Sequence, residues 1–487
     1  MSVKNRFLQP PHHLRANDGF QQSDIRLSFP ADRNRALFQR PPQRAQPGAG
    51  HGERRLLRVG RTDRHTSHRS FGHRQLRSRA GDRQRGAGAS TAVDRLVSCR
   101  KSTRPYRFQI HQFHPRQRQL RFGTAPAIPL PLGISFFTFH IISYLVDVYR
   151  GVAQPQRSAI TFTLYIINFP QLIAGPIIRY RPIAPQLEQR PVSFGDVDVG
   201  IARFAAGLAK KLLIANPVGA VGDHLFAMSP ADLPIWAVWL AVLCFSLQIY
   251  FDFSGYSDMA IGMARVFGFR FPENFNYPYS SVSIKDFWRR WHITLSAWFR
   301  DYVYVPLGGS RGSTWSTTRN LWVVFLLCGT WHGASWNFIV WGMWHGLFLS
   351  IERLAPVERA LSGLPRIVRN AYTLLVVMIG WVFFRAATLD LALDTLARMF
   401  GIEAGAPAML PVSAHVTGPT MLLIVIAAFF SFPIWPRLRE RMQKMVGTPG
   451  EQIAYDLTRA AYIGLITVLC LATMTIDQNN PFIYFRF

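Results

Sequence analysis

Two Trp-His-Gly triplets, centred on His332 and His345, lie inside the apolar stretch FLLCGTWHGASWNFIVWGMWHGLFLS, Phe325 to Ser350. Ionisable groups at membrane depth are costly and usually face a cavity, a partner or a pathway. Imidazole titrates near neutral pH, so such a histidine is suited to accepting and returning a proton. On one continuous helix the two histidines, 13 residues apart, would stand roughly 20 Å from each other at ~1.5 Å per residue, too far to share a metal ion or a proton. Gly329, Gly333, Gly342 and Gly346 allow a break or a close helix approach that shortens this separation. A neutral, hydrogen-bonded core histidine is the ordinary alternative for each. Thr330, Ser335 and Asn337 surround His332 with polar groups that His345 lacks, which favours His332 as the functional one.

A third histidine sits in SVSIKDFWRRWHITLSAWFRDYVYVPLGGSRG, Ser281 to Gly312. Phe287, Trp288, Trp291, Leu295, Trp298, Phe299 and Tyr302 recur at helical spacing, while Lys285, Asp286, Arg289, Arg290, Arg300 and Asp301 mostly take the other side. The pattern predicts one helix lying in the membrane interface, with His292 on its inward, aromatic side. The alternative is a histidine merely packed at the interface. Asp252 and Asp258 interrupt a further apolar run, among the hydroxyls of Tyr250, Ser254, Tyr256 and Ser257. Paired carboxylates can divide acid and base work, bind a cation, or accept hydrogen bonds from neighbouring helices.

The elements that must position these groups are membrane helices. Stretches near or above the ~18 residues needed to cross a hydrocarbon core lie at Ile128 to Val146, Ile160 to Ile178, Pro234 to Phe251, Leu321 to Ser350 and Ala460 to Ile476. Tyr372 to Phe384 and Met421 to Trp435 are shorter, and Val199 to Val221 carries Lys210 and Lys211 and reads as tilted or re-entrant. An all-α polytopic membrane protein is expected. Cys99, Cys244, Cys328 and Cys470 have no paired spacing and read as packing residues. There is no His-Glu-x-x-His, no Cys-x-x-Cys and no phosphate-loop motif, which removes most support from zinc-protease and ATPase readings. The one Gly-x-Ser-x-Gly match, Gly308 to Gly312, lacks the strand and sheet context of a nucleophile elbow and reads as a turn.

The first 124 residues differ in kind. They hold 25 Arg and 2 Lys against 7 acidic residues, +20 of the chain's formal net charge of +28, without helical or strand periodicity. The composition reads as disorder, and as what out-of-frame translation of a GC-rich gene produces; a basic tail for anionic lipid or nucleic acid is the alternative. No nucleic-acid partner is expected of a membrane body this size. No apolar core of a signal peptide precedes the first span. Two regions are therefore expected, an Arg-rich segment 1–124 and a membrane domain 125–487.

From about Pro129 to Phe487 the sequence resembles the membrane-bound O-acyltransferases, most closely their alginate O-acetyltransferase branch. The matching stretches are PLGISFFTFHIISYLVDVYRG, FPQLIAGPIIRY, QIYFDFSGYSDMAIGMARVFGF, PENFNYPYSSVSIKDFWRRWHITLSAWFRDYVYVPLGG, GTWHGASWNFIVWGMWHG and the terminal PFIYFRF. The resemblance implies a ring of helices around a tunnel open to both faces, with the family's N-terminal helices missing from the space that residues 1–124 occupy. It implies a multi-pass enzyme of the bacterial inner membrane. That enzyme would pass an acetyl group from a cytoplasmic donor, acetyl-CoA, to an extracytoplasmic polysaccharide such as alginate, with a periplasmic acetyltransferase or esterase-like partner protein. The family's essential histidine falls on His332 and a second functional one on His292. His332 is then the general base or a transient acyl carrier, and His292 orients donor or acceptor. Trp331, Asn337, Asp252 and Asp258 become candidate substrate contacts, and Arg289, Arg290 and Arg311 candidates for donor phosphates. No bound metal or cofactor is expected. The alternatives are acyl transfer to a cell-wall polymer, peptidoglycan or teichoic acid, and a polytopic transporter using Asp252 and Asp258 as a coupling site.

Overall fold

Every regular element among the described residues of the computed structural model, which are 133–172, 175–402 and 416–476, is helical. The Arg-rich segment, its boundary with the membrane domain and the terminal PFIYFRF lie outside the described residues. Among the described residues four helical stretches are long and apolar enough to cross a membrane: Phe194–Phe226, Ile235–Val266, Arg366–Arg385 and Pro449–Thr475. Gly418–Phe430 and Ile434–Met445, bent by 70°, form a fifth if counted as one span. The elements used below are α1 (Ile134–Tyr149), α2 (Phe194–Ala209), α3 (Ile235–Val266), α4 (Ile284–Arg290), α5 (Ile293–Phe299), α6 (Thr314–His332), α7 (Trp336–Ile351), α8 (Arg366–Arg385) and α9 (Pro449–Ile476). The chain is a polytopic helical membrane protein.

Helices α2 and α3 run antiparallel along a seam that the sequence writes at a spacing of seven. Gly200 and Gly207 face Gly262 and Gly255, so closely that a Cβ on Gly207 would stand 2.5 Å from the carbonyl oxygen of Gly255. Small residues let membrane helices approach to backbone contact. The approach brings charged side chains into register on either side. Asp196, which completes a capping box with Ser193 at the start of α2, meets Arg265 at the end of α3 at 3.1 Å. Arg203 and Lys210 each reach Asp258 at 2.7 Å, and Lys211 reaches Asp252 at 2.6 Å. Lys210–Ala215 is a π-helical turn, continued by Asn216–Phe226. The stretch expected to be tilted or re-entrant is thus part of a 33-residue span.

Two expectations fail, and the break left open between the two Trp-His-Gly triplets is present. Ile160 to Ile178 is not one span: the helix Ala159–Ile167 stops at Asn168, a one-turn helix Phe169–Leu172 follows, and Gly175 adopts φ 125. Leu321 to Ser350 is a hairpin, because Gly333 and Ser335 are fully extended between α6 and α7. The single helix expected across His292 is two helices, for a reason given below. The turn read at Gly308 to Gly312 is present, with Gly308 and Gly309 at positive φ.

The Lys211–Asp252 pair carries a stability prediction. Asp252 is closed off, so Lys211→Met strands a buried carboxylate and is expected to lower stability by about 3–5 kcal/mol. The double variant Lys211→Met, Asp252→Leu should recover most of that in thermal unfolding in detergent. Equal losses in single and double variants would show that the pair does not act as a pair.

Candidate active site

The site is built on a break in the chain between α4 and α5. Helix α4 is fixed at its start by Ser283, whose side chain accepts from Asp286 N at 3.0 Å. Glu352, at the end of α7, accepts from the backbone N–H groups of Ile284 and Lys285 at 2.7 and 3.1 Å. The helix ends at Arg290, and His292 enters the left-handed region at φ 43, ψ 55. For a residue with a Cβ this costs about 1–2 kcal/mol, so something must hold it there. The segment before Tyr279 does. Asn276 N donates to Arg290 O and Ile293 N donates to Asn274 O, both at 2.9 Å. Tyr277, at φ 45, is the other non-glycine residue with positive φ among the described residues. Both unusual backbones therefore flank the same pairing.

Asn274 does more than pair the backbone. Its side chain is fully enclosed, its Nδ2 donates to Ser257 Oγ of α3 at 3.0 Å, and its Oδ1 receives Thr294 Oγ1 at 2.8 Å and His292 Nδ1 at 3.1 Å. Because Nδ2 is committed to Ser257, Oδ1 faces the imidazole, and an amide oxygen only accepts. His292 therefore carries its proton on Nδ1, a tautomer assigned from this network. Its Nε2 is left as the basic nitrogen, buried and without a hydrogen-bond partner among the described residues. Phe253 of α3 meets the ring edge to face at 4.7 Å.

The second imidazole stands at the end of α6. Helices α6 and α7 fold back on each other with no room for side chains at the crossing: a Cβ on Gly329 would lie 2.3 Å from Phe338 O, and one on Gly342 2.3 Å from Phe325 O. His332, the last residue of α6, meets Trp341 edge to face at 5.0 Å and Phe384 of α8 at 5.1 Å. His345, one turn further along α7, lies 5.2 Å from the same Trp341. The hairpin thus brings both histidines to one indole, where a continuous helix would have held them far apart. His332 is half-buried, whereas His292 and His345 are enclosed. His332 and His292 lie within electrostatic reach of each other.

The other candidates fare differently. Trp331 packs against Phe136 and Phe139 of α1 and forms the wall behind His332. Asn337 donates to the carbonyl of Ala386 and accepts from Ser335 at 2.5 Å, so its polar atoms fasten the hairpin turn to the end of α8. Asp252 and Asp258 are engaged by the cations of the α2–α3 seam, the structural alternative for paired carboxylates. Arg290 is held by Asp286 at 2.9 Å, and Arg289 and Arg311 are exposed. Asn274 and Thr294 were not singled out from sequence. Asn274 stands inside the stretch PENFNYPY, but only the fold shows that an amide 18 residues upstream of His292 is the group that orients it.

Membrane-length helices around an oriented, enclosed imidazole and a second, half-buried one define a polytopic membrane protein. The chain belongs to the membrane-bound O-acyltransferase family, whose profile matches residues 148–389, and it is an acyltransferase. It is 40% identical over 394 residues to a probable alginate O-acetylase AlgI of Azotobacter vinelandii, covering 75% of this chain and 78% of that one. With the protein of the same description from Pseudomonas fluorescens it shares 46% over 397 residues, 74% and 79% of the two chains. A peptidoglycan O-acetyltransferase of Helicobacter pylori is 38% identical over 303 residues, 56% of this chain and 57% of its own.

Removing the Asn274 clasp should misplace His292. Asn274→Ala is expected to lower the kcat/KM of acyl transfer by up to about 10²-fold, as small displacements of positioned groups do. Asn274→Asp keeps an acceptor oxygen opposite Nδ1 and should retain more activity than Asn274→Ala. Equal losses would reduce the clasp to packing.

Proposed function

We propose that this chain transfers an acetyl group from acetyl-CoA, on the cytoplasmic side of a bacterial inner membrane, to a hydroxyl of an extracytoplasmic polysaccharide, alginate or a related polymer. Donor and acceptor reach the two histidines from opposite ends of a tunnel through a ring of helices. A periplasmic acetyltransferase or esterase-like protein then works with the polymer on the outer side. The observation that carries this reading is the pairing of an enclosed, tautomer-fixed His292 with a half-buried His332 at the hairpin turn.

The chemistry follows from these groups. Acyl transfer from a thioester to an alcohol needs a base for the hydroxyl proton, and neutral imidazole supplies one near pH 7. His332 takes the proton of the acceptor hydroxyl, and the oxygen attacks the acetyl carbonyl carbon. The carbon–sulfur bond breaks, and the leaving thiolate recovers the proton from the His332 imidazolium, so no proton is gained or lost overall. His292 stays neutral and offers Nε2 as an acceptor to a neighbouring hydroxyl of the acceptor sugar, which orients the reacting one. The rings of Trp341 and Phe384 hold the His332 imidazole edge-on and limit water around it. A transient acetyl-His332 is the other route through the same residue, and acid-quenched protein carrying label on His332 would reveal it.

Transport with Asp252 and Asp258 as a coupling pair is disfavoured, because Lys211, Lys210 and Arg203 already neutralise both. Transfer to peptidoglycan differs only in acceptor. The test uses the full chain in membranes with labelled acetyl-CoA and either oligomannuronate or peptidoglycan fragments. Oligomannuronate should be acetylated, and His332→Ala should lose about 10²- to 10⁴-fold in rate. Full activity without His332 would refute the mechanism, and label appearing only in peptidoglycan would replace the acceptor.

A further inference from the structure

His345, like His140, is an enclosed imidazole that acetyl transfer does not use. It is 0% exposed, and neither ring nitrogen has a hydrogen-bond partner among the described residues. Its ring centre lies 5.1 Å from the indole of Trp288 on α4 and 5.2 Å from that of Trp341 on α7. The indole nitrogens of both tryptophans are also buried without a partner. On the α8 side the backbone at Gly380 closes against the ring, since a Cβ there would stand 2.9 Å from His345 Nε2. Four unsatisfied polar atoms thus belong to three rings in mutual contact, while native interiors leave few such groups unpaired.

The donor count decides what would satisfy them. Two indoles supply two N–H donors, and neutral imidazole supplies one donor and one acceptor. Three donors and a single acceptor cannot pair off among themselves. An oxygen with two lone pairs that can also donate pairs three of the four atoms and leaves one N–H over. We infer that Trp288, Trp341 and His345 form a binding site for one such small oxygen ligand, and that its occupant is water. A water accepts from both indoles and donates to the basic nitrogen of His345, the three hydrogen bonds usual for a buried water. A carbonyl oxygen of the acyl donor shares the accepting chemistry but has no proton for His345. Because Trp341 also carries the edge-on contact with His332, the bound water fixes the indole against which the reacting imidazole rests. His345 is then a positioning residue.

The sign of one substitution separates a wet cage from a dry one. Removing an unsatisfied polar group from a dry site is neutral or stabilising, whereas removing a ligand of a bound water strands the remaining donors. For the purified full chain without donor, His345→Phe is expected to lower Tm by several degrees, and His345→Gln, which keeps a donor and an acceptor, to recover at least half of that. A Tm for His345→Phe at or above the parent's, with an unchanged KM for acetyl-CoA, overturns the site. Equal losses in the Phe and Gln variants overturn it too, since ring shape alone would then matter. An unchanged Tm with a KM for acetyl-CoA raised several-fold would assign the same oxygen site to the donor's carbonyl; that arm alone rests on the acetyl-transfer reading. If His345→Phe does not fold, density for an oxygen among the three rings in a high-resolution map of the parent decides the question, and its absence rejects the site.

Discussion

The side-chain oxygen of Asn274 is the point on which the site depends. It takes hydrogen bonds from His292 Nδ1 and from both the hydroxyl and the backbone N–H of Thr294, across the break between α4 and α5. Thr294 Oγ1 in turn accepts from Ile177 N at 2.9 Å, which extends the network to the segment after α1. Through Ser257 the same amide is tied to α3. One buried amide thus fixes a left-handed backbone, a tautomer and the spacing of three chain segments. In a low-dielectric interior such a network is rigid only while every member is satisfied.

The rest of the site is an aromatic wall. Phe139 contacts Trp298 at 4.3 Å and Trp331 at 5.2 Å, which joins α1, α5 and the end of α6 behind His332. On the other side Trp341 and Phe384 join α7 to α8 at 5.2 Å. Edge-to-face contacts give each ring a preferred orientation as well as buried area. The imidazoles occupy places in this wall that a phenyl ring would fill, and with the indole N–H groups they bring polar nitrogens into it.

Much of this was legible in the sequence, and the limits have physical causes. Helix existence followed from apolar runs, and the inward face of the α4–α5 segment followed from aromatic spacing, since Phe287, Trp291, Leu295, Trp298 and Phe299 are all buried. The break at His292 was invisible because its cause lies in a hydrogen-bond acceptor on another segment, and helical periodicity carries no record of that. The hairpin at Gly333 was readable only as a permission, four glycines in an apolar run. The roles of Asp252 and Asp258 stayed open in the sequence because a carboxylate pair looks the same whether it faces substrate or cations; their partners, Lys210 and Lys211, stood some forty residues upstream. Family resemblance placed His332 and His292, and the fold supplied the reason their rings point as they do.

The charged seam between α2 and α3 bears on how the chain enters its bilayer. The span Phe194–Phe226 carries Arg203, Lys210 and Lys211, and each cation near the centre of a lone helix disfavours insertion by about 2.5–3.5 kcal/mol. Its apolar residues compensate poorly, since it is the least apolar of the four membrane-length stretches among the described residues. The two carboxylates that offset two of these three charges arrive with the next helix, across a connection that holds the short turn Pro230–Asp232. Biogenesis of this region is therefore cooperative: the two helices are thermodynamically one insertion unit, and the glycines that let them touch are as much a requirement of the translocation machinery's product as of the finished enzyme.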